Sequence, residues 1–82
     1  MEIKVYFGML LKRKRKEKKF SQQYLANKSG LNRTYISLME RGLKTPSLST
    51  IFKLSSTLEI EASTLIQELE RDLEINKVTF ID

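Results

Sequence analysis

Helix-starting and helix-stopping residues follow one another at short intervals along this chain of 82 residues. Ser21, Asn32 and Ser47 are residue types that favour helix N-termini, whereas Gly30 and Gly42 favour helix C-termini. Between them, apolar residues recur at intervals of three and four positions, which is typical of helices that pack on one face. This spacing predicts an all-α fold of several short helices, with no good strand before the C-terminal end.

Five helices are expected between these signals, within a single domain that spans residues 1–82. Their expected ranges are 6–18, 22–28, 33–41, 48–58 and about 62–75. In the fourth helix the expected apolar stripe consists of Leu48, Ile51, Leu54 and Leu58. The pattern of residues 77–82 is compatible with either a short strand or a disordered end.

Charge is divided unevenly along the chain. Residues 1–57 hold thirteen basic and three acidic side chains, for a formal charge of +10, and residues 58–82 hold two basic and seven acidic ones, for −5. A basic body with an acidic tail indicates a polyanionic partner for the body. The densest run of cations, at residues 12–19, is compatible with a nucleic-acid patch, a localisation signal or a solvated helix face.

The residue types that are missing exclude several classes of function. The chain contains no Cys and no His, so it has no disulfide framework, no zinc site of the usual kind and no histidine-based catalysis. The carboxylate pair Glu59 and Glu61 lies in a polar stretch without a phosphate-binding loop. We therefore expect a protein that is not an enzyme and needs no cofactor or metal. No apolar run approaches the roughly 18 residues of a membrane span, and no signal peptide is evident, so we expect a cytoplasmic protein without a membrane partner.

Residues 22–41 predict a helix-turn-helix, because two short helices flank the sequence Gly30-Leu31-Asn32. Ala26 provides a small side chain where the helices cross, and Gly30 tolerates the positive φ that the turn requires. The side chains expected to face the core are Leu25, Leu31, Ile36 and Met39. An αα-corner that does not bind DNA is the alternative interpretation.

In a helix-turn-helix the second helix enters the major groove, and the outward residues of its N-terminal part reach the bases. Here those residues are Arg33, Thr34 and Ser37. An arginine can bind guanine O6 and N7 with two hydrogen bonds, and a threonine can contact a base through its hydroxyl or thymine through its methyl group.

Phosphate contacts are expected at helix N-termini, where backbone N–H groups are free to bind anions. The candidates from this argument are Gln22, Gln23, Asn32, Ser47 and Ser49. Asn32 has an alternative role as a helix cap.

Several motifs resemble those of the lambda-repressor-like DNA-binding domains of the Cro/CI or XRE type. They are FSQQYLA at 20–26, SGL at 29–31, YIS at 35–37, ERG at 40–42 and PSL at 46–48. The resemblance covers roughly residues 7–69, and the stretch LNRTYIS at 31–37 is most similar to controller proteins of restriction–modification systems. It implies a five-helix transcriptional regulator that binds a palindromic operator in double-stranded DNA as a homodimer. RNA polymerase is a candidate further partner.

The resemblance also implies roles for single residues. Tyr35 becomes a DNA contact by similarity to the controller group, although its position fits a core or phosphate role equally well. Lys44 and Thr45, in the loop after the second helix of the motif, resemble a further phosphate or base contact, with a solvated cation as the alternative for Lys44. Arg15 and Glu40 match a pair that forms a structural salt bridge inside the domain, so Arg15 is not expected to read bases.

The fifth helix carries more apolar residues than it needs to cover one small core, and family members usually dimerise through it. The expected dimer contacts are Leu65, Ile66, Leu69 and Leu73. The alternative is that this helix only closes the core of one chain. A two-fold dimer would present two reading helices about 34 Å apart, one turn of DNA.

The sequence leaves two other functions open. An antitoxin or a short phage-type repressor uses the same domain, and the sequence does not separate it from a controller. A protein-interaction module that has lost DNA binding would carry acidic or apolar side chains at positions 33, 34 and 37, where this chain has Arg33, Thr34 and Ser37.

Overall fold

The computed structural model of the protein describes residues 3–78, and over that range the chain forms five helices and no strand. The helices are α1 (Ile3–Glu17), α2 (Gln22–Ser29), α3 (Arg33–Glu40), α4 (Leu48–Thr57) and α5 (Ala62–Ile75). The predicted all-α, five-helix fold is therefore confirmed. Within residues 3–78, none of the helices has both the length and the apolar character that crossing a membrane requires.

The capping residues of the sequence define most of the helix ends. Ser21, Asn32 and Ser47 each accept a hydrogen bond from a backbone N–H in the first turn of the helix they precede, at 3.0, 2.7 and 3.1 Å. Gly30 ends α2 with φ of +74°, and its N–H donates to the carbonyl of Ala26. These side-chain and backbone bonds satisfy polar groups that a helix end leaves without an intrahelical partner.

Some predicted bounds need correction. Helix α1 begins at Ile3 rather than at residue 6, since the sequence has no strong capping signal there. Helices α1, α3 and α4 each end one residue earlier than predicted, and α2 ends one residue later. Lys77 lies in the turn after α5 with φ of +56°, and the Val78 N–H donates to the Leu73 carbonyl at 2.9 Å, so neither lies in a strand. The rest of the prediction for residues 77–82 lies outside the described residues.

Helix α1 packs against both α3 and α5, and α2 and α4 complete the core. The largest fully buried side chains come from all five helices: Phe7, Leu10, Leu11, Leu25, Ile36, Met39, Leu54 and Leu65. Gly8 lies where α1 crosses α3, and a Cβ atom there would collide with the backbone carbonyl oxygens of Met39 and Glu40. The absence of a side chain at this position thus sets how closely α3 lies on the core.

One prediction about the apolar residues of α4 is wrong. Leu48 is 76% exposed, so the buried stripe of α4 begins at Ile51. Because side chains lean toward the N-terminus of a helix, a residue in the first turn points past the packed centre.

In α5, three of the four expected dimer contacts, Leu65, Leu69 and Leu73, are at most 8% exposed within a single chain. They close the monomer core and have little surface left for a partner. Ile66, in contrast, is 43% exposed.

Candidate nucleic-acid interface

Helices α2 and α3 form the helix-turn-helix, joined by the turn at residues 30–32. Leu25, Ala26, Ile36 and Met39 are buried as predicted, and Leu31 is partly buried against the same cluster. Burial of this inner side leaves the opposite face of α3 in solvent. That face carries the residues predicted to read bases.

An open cleft runs along the outer face of α3, and we call it the α3 cleft. Its lining residues are Gln22, Arg33, Thr34, Ser37, Leu38 and Arg41. The structure therefore brings together all three residues that helix geometry assigned to base reading, with Gln22 of α2 at their margin. The volume of the cleft is about 240 Å³, smaller than the roughly 300–1,000 Å³ of small-molecule pockets. Its size and openness suit contact with a macromolecule.

The sequence analysis missed two residues of the α3 cleft, Leu38 and Arg41. They follow Thr34 by four and seven positions, and this spacing places side chains on one side of a helix. The sequence prediction considered only the N-terminal part of α3. Extending the same spacing by one more turn would have added Leu38 and Arg41 to the predicted surface. Arg41 is exposed, and its side chain has no bonding partner among residues 3–78.

Tyr35 is directed away from the α3 cleft, toward the loop between α3 and α4. Its hydroxyl lies 3.4 Å from the carbonyl oxygen of Thr45 and 3.3 Å from Oγ1 of Thr50, and it accepts a hydrogen bond from the Ser47 N–H at 3.4 Å. One hydroxyl proton can serve only one of the two oxygens at a time. Tyr35 thus joins α3 to this loop, and its role as a DNA contact stays a prediction.

The predicted phosphate-binding residues of α2 lie at the start of that helix. The amide of Gln22 donates to Oε1 of Glu40 at 3.0 Å, which holds Gln22 beside the α3 cleft. The amide of the exposed Gln23 donates to Oδ1 of Asn27 at 2.9 Å. Both backbone N–H groups belong to the first turn of α2, where anions are favoured.

The remaining phosphate candidates lie at the N-termini of α3 and α4 and in the loop between them. Oδ1 of Asn32 caps α3, which leaves only its amide hydrogens for a ligand. Ser47 Oγ donates to Thr50 Oγ1 at 2.8 Å and lies 3.1 Å from Ser49 Oγ. Lys44, Thr45 and Ser49 are exposed. The Tyr35 hydroxyl binds this loop and so connects the start of α4 to α3.

The ion pair implied for Arg15 and Glu40 is present. Arg15 Nε donates to Glu40 Oε2 at 2.6 Å and Nη2 donates to Oε1 at 2.9 Å, while Nη1 donates to the carbonyl of Phe20 at 2.8 Å. The two side chains are only 10% and 2% exposed. The hydrogen bonds to Glu40 raise the pKa of Arg15 above its usual value, so it stays charged. Since Glu40 also accepts from Gln22, this cluster fixes α1, α3 and the start of α2 in one arrangement.

The run of cations at residues 12–19 is largely paired with carboxylates. In addition to Arg15, Arg13 lies 3.3 Å from Asp72, Lys14 lies 2.8 Å from Glu68 and Lys18 lies 2.9 Å from Glu59, each measured from nitrogen to oxygen. The hydrogen bond to Glu68 raises the pKa of Lys14. Four of the seven cations thus have a partner within the chain, so the run is not a continuous polyanion-binding patch.

The five-helix fold and the exposed outer face of α3 define a helix-turn-helix domain. Residues 11–65 match the family HTH_3, described as Helix-turn-helix. This range covers most of the chain and contains α2, α3 and α4 in full, so the protein belongs to this family, which is of the XRE type.

Controller proteins of restriction–modification systems are prominent among the similar proteins. Control protein C.MunI from Mycoplasma sp is 40% identical over 72 residues, which cover 87% of this chain and 97% of that protein. The structure of the restriction–modification controller protein C.AhdI from Aeromonas hydrophila has a TM-score of 0.73 and 44% identity, covering 76% of this chain and 94% of that one. A point mutant of C.Esp1396I bound to its highest affinity operator site OM has a TM-score of 0.80 and 27% identity, covering 87% and 93%.

Similarity to a longer regulator is confined to part of it. HTH-type transcriptional regulator SinR from Bacillus subtilis is 40% identical over 62 residues, which cover 74% of this chain. The matched region spans 56% of the length of SinR.

Proposed function

We propose that this protein binds a specific pseudo-palindromic DNA operator as a homodimer and serves as the controller protein of a restriction–modification system. The observation that carries the proposal is the α3 cleft, where Arg33, Thr34 and Ser37 lie side by side on the outer face of the second helix of the motif. Side chains that can bind base edges at this place suit major-groove recognition.

In the proposed complex, α3 enters the major groove. Arg33 binds a guanine through O6 and N7, and Thr34 and Ser37 contact neighbouring base edges. Gln22 and Gln23 on one side of α3 face the DNA backbone, and on the other side Lys44, Thr45 and the start of α4 do the same. The Arg15–Glu40 pair does not touch DNA; it holds α3 and the start of α2 in the relative position that binding requires.

The proposed dimer forms through the outer side of α5. Ile66 is exposed there, next to helix positions whose leucines are already buried in the core. A two-fold axis near this surface would place two copies of α3 in successive turns of the major groove, about 34 Å apart.

The controller role is supported by the similarity of nearly the whole chain to C.MunI. A regulator that binds DNA acts where the DNA is, and we place this one in the cytoplasm. RNA polymerase is the proposed further partner where the bound dimer activates a promoter.

Selection of bound sequences from random double-stranded DNA tests the proposal, and we expect a two-fold symmetric site to emerge. Arg33→Ala should then cost about 1–3 kcal/mol of discrimination at one base pair in each half-site, because the two bonds to guanine are lost. Mobility-shift titrations of the selected site and its single-base variants measure this loss.

Arg71→Ala is the matched control, since Arg71 is an exposed arginine on α5 outside the α3 cleft. It should leave base discrimination unchanged. Failure to enrich any sequence would contradict specific DNA binding, and unchanged discrimination in Arg33→Ala would contradict the role of that residue.

A further inference from the structure

The α3 cleft has one apolar member, Leu38, among five residues that carry hydrogen-bonding side chains. We propose that Leu38 makes the protein prefer, at one operator position, a pyrimidine that bears a 5-methyl group. The inference rests on the proposed function, because it concerns which base α3 meets in the major groove.

Leu38 differs from the other apolar residues of α3 in its exposure. Ile36 and Met39 are fully buried, whereas Leu38 is partly open to solvent in the α3 cleft. Packing in the core therefore covers only part of the Leu38 side chain. The part that remains accessible lies between Thr34 and Arg41, four residues after one and three before the other, on the side of α3 proposed to face the bases.

Arg33 and Leu38 would meet different base pairs. Leu38 follows Arg33 by five positions, which corresponds to roughly 7.5 Å along a helix axis. This distance is about two base-pair steps of roughly 3.4 Å. The preference carried by Leu38 is therefore separate from a guanine bound by Arg33.

The chemistry of the major groove restricts what an apolar side chain can recognise. Guanine, cytosine and adenine present hydrogen-bonding atoms there, and among the unmodified bases only thymine adds a methyl group, at C5. Leu38 offers no hydrogen bond, so it would remove water from a polar base edge without replacing the lost bond. Against a methyl group, the same contact buries apolar surface on both sides.

Two bases present this methyl group at the same place. Thymine carries it in ordinary DNA, and 5-methylcytosine carries it in methylated DNA. Burying one methyl group corresponds to about a fourfold change in affinity. For a dimer that makes the contact in both half-sites independently, the effect becomes about fifteenfold.

The test uses the operator selected from random DNA. Each symmetric pair of thymines is replaced by deoxyuridine, which lacks only the 5-methyl group, and the Kd of the full chain is measured for each duplex. We expect one pair whose replacement weakens binding by about fifteenfold in total. Leu38→Ala should bind the thymine and uracil duplexes equally well, and circular dichroism verifies that this variant is folded.

Thr34→Ser is the matched control, because Thr34 also offers a methyl group in the α3 cleft. This variant keeps the hydroxyl and should keep the sensitivity to uracil at the Leu38 position. A second arm replaces cytosine with 5-methylcytosine at the selected C·G pairs. If this replacement raises the affinity of the wild-type protein by a similar factor and leaves that of Leu38→Ala unchanged, the recognised methyl group is the one on methylated cytosine.

The inference is overturned if neither modification changes the affinity of the wild-type protein, or if Leu38→Ala retains the sensitivity. The modified duplexes test wild-type protein directly, so a poorly folded variant would not hide a negative result. Absence of any selected operator would instead count against the proposed function itself.

Discussion

At the scale of single residues, Arg33 and Arg41 lie at the two ends of the α3 cleft, eight positions apart. This spacing corresponds to roughly 12 Å along the helix axis. If Arg33 at the start of α3 enters the groove, Arg41 at its other end lies near the DNA backbone that borders the groove. We therefore expect different consequences from removing the two guanidinium groups.

Arg41→Ala should weaken binding to all DNA sequences alike, because a phosphate contact carries no base information. It should also reduce the slope of log K against log salt by about 2 for the bound dimer, since each of its two chains releases about one fewer counterion. Fluorescence anisotropy at several salt concentrations, on operator and random duplexes, gives both quantities. A change in base preference in Arg41→Ala would show that this residue reads bases.

Arg15→Ala should lower the free energy of unfolding by about 3–5 kcal/mol, because Glu40 is 2% exposed and would lose the partner of its buried charge. Denaturant unfolding measures the loss. The DNA affinity of the folded variant should change much less than its stability, because Arg15 lies outside the α3 cleft. Full stability with lost affinity would contradict the structural role and make Arg15 a DNA contact.

At the scale of helices, ion pairs between the basic residues of α1 and the carboxylates of α5 tie the two ends of the described chain together. Lys14 and Glu68 are the closest pair, and their side chains are 17% and 30% exposed. A pair of this exposure contributes about 0.2–1 kcal/mol, and salt screens it.

Glu68→Gln should lower stability by about this amount near neutral pH. The pKa of Lys14 is raised above 10.5 in the folded chain by the bond to Glu68, so the charged form is favoured by folding. The contribution is then fully present below pH 10.5 and is lost as the pH rises through the higher folded pKa. Thermal unfolding of the wild type and of Glu68→Gln across this pH range should show the difference in stability between them decreasing.

Glu70→Gln is the control for this measurement, since Glu70 is an exposed glutamate on α5. It removes the same charge and should show no corresponding dependence on pH or salt. If both variants respond equally, the change in stability comes from the loss of one negative charge on α5 and not from the pair with Lys14.

Much of this helix arrangement was predictable from the sequence, for local reasons. Ser21, Asn32 and Ser47 mark helix starts because capping depends on residues one to three positions away. The start of α1 lacks such a signal and was placed three residues late. The stripe of leucines in α5 was ambiguous, because the same amphipathic pattern covers a core or a dimer interface and only the packed structure separates them. Leu38 and Arg41 were missed because the reading surface was assumed to end with the first turns of α3.

At the scale of the whole molecule, we expect a homodimer that depends on the exposed side of α5. Ile66→Glu should shift the protein from dimer to monomer in sedimentation experiments, because it places a charge in an apolar contact. Affinity for a two-fold site should fall with it, as two copies of α3 are no longer linked.

Leu65→Ala is the control that changes the stability of the single chain rather than the proposed dimer surface. Leu65 is fully buried within one chain, so this variant should lower stability by about 2–5 kcal/mol. If Ile66→Glu remains dimeric at concentrations where wild type is dimeric, the interface lies elsewhere, with the exposed Phe52 of α4 as the next residue to test.

The pairing of α1 with carboxylates also bears on how such a regulator finds its target in a genome. A free run of seven cations would hold the protein on any stretch of DNA, and the number of such stretches far exceeds the number of operators. Glu59, Glu68 and Asp72 pair with cations of that run. If the protein binds an operator as proposed, this pairing would weaken its attraction to arbitrary DNA and leave Arg33 and Arg41 available for the operator. The acidic residues of α5 would then shorten the search for the operator and increase the difference in affinity between the operator and other sequences.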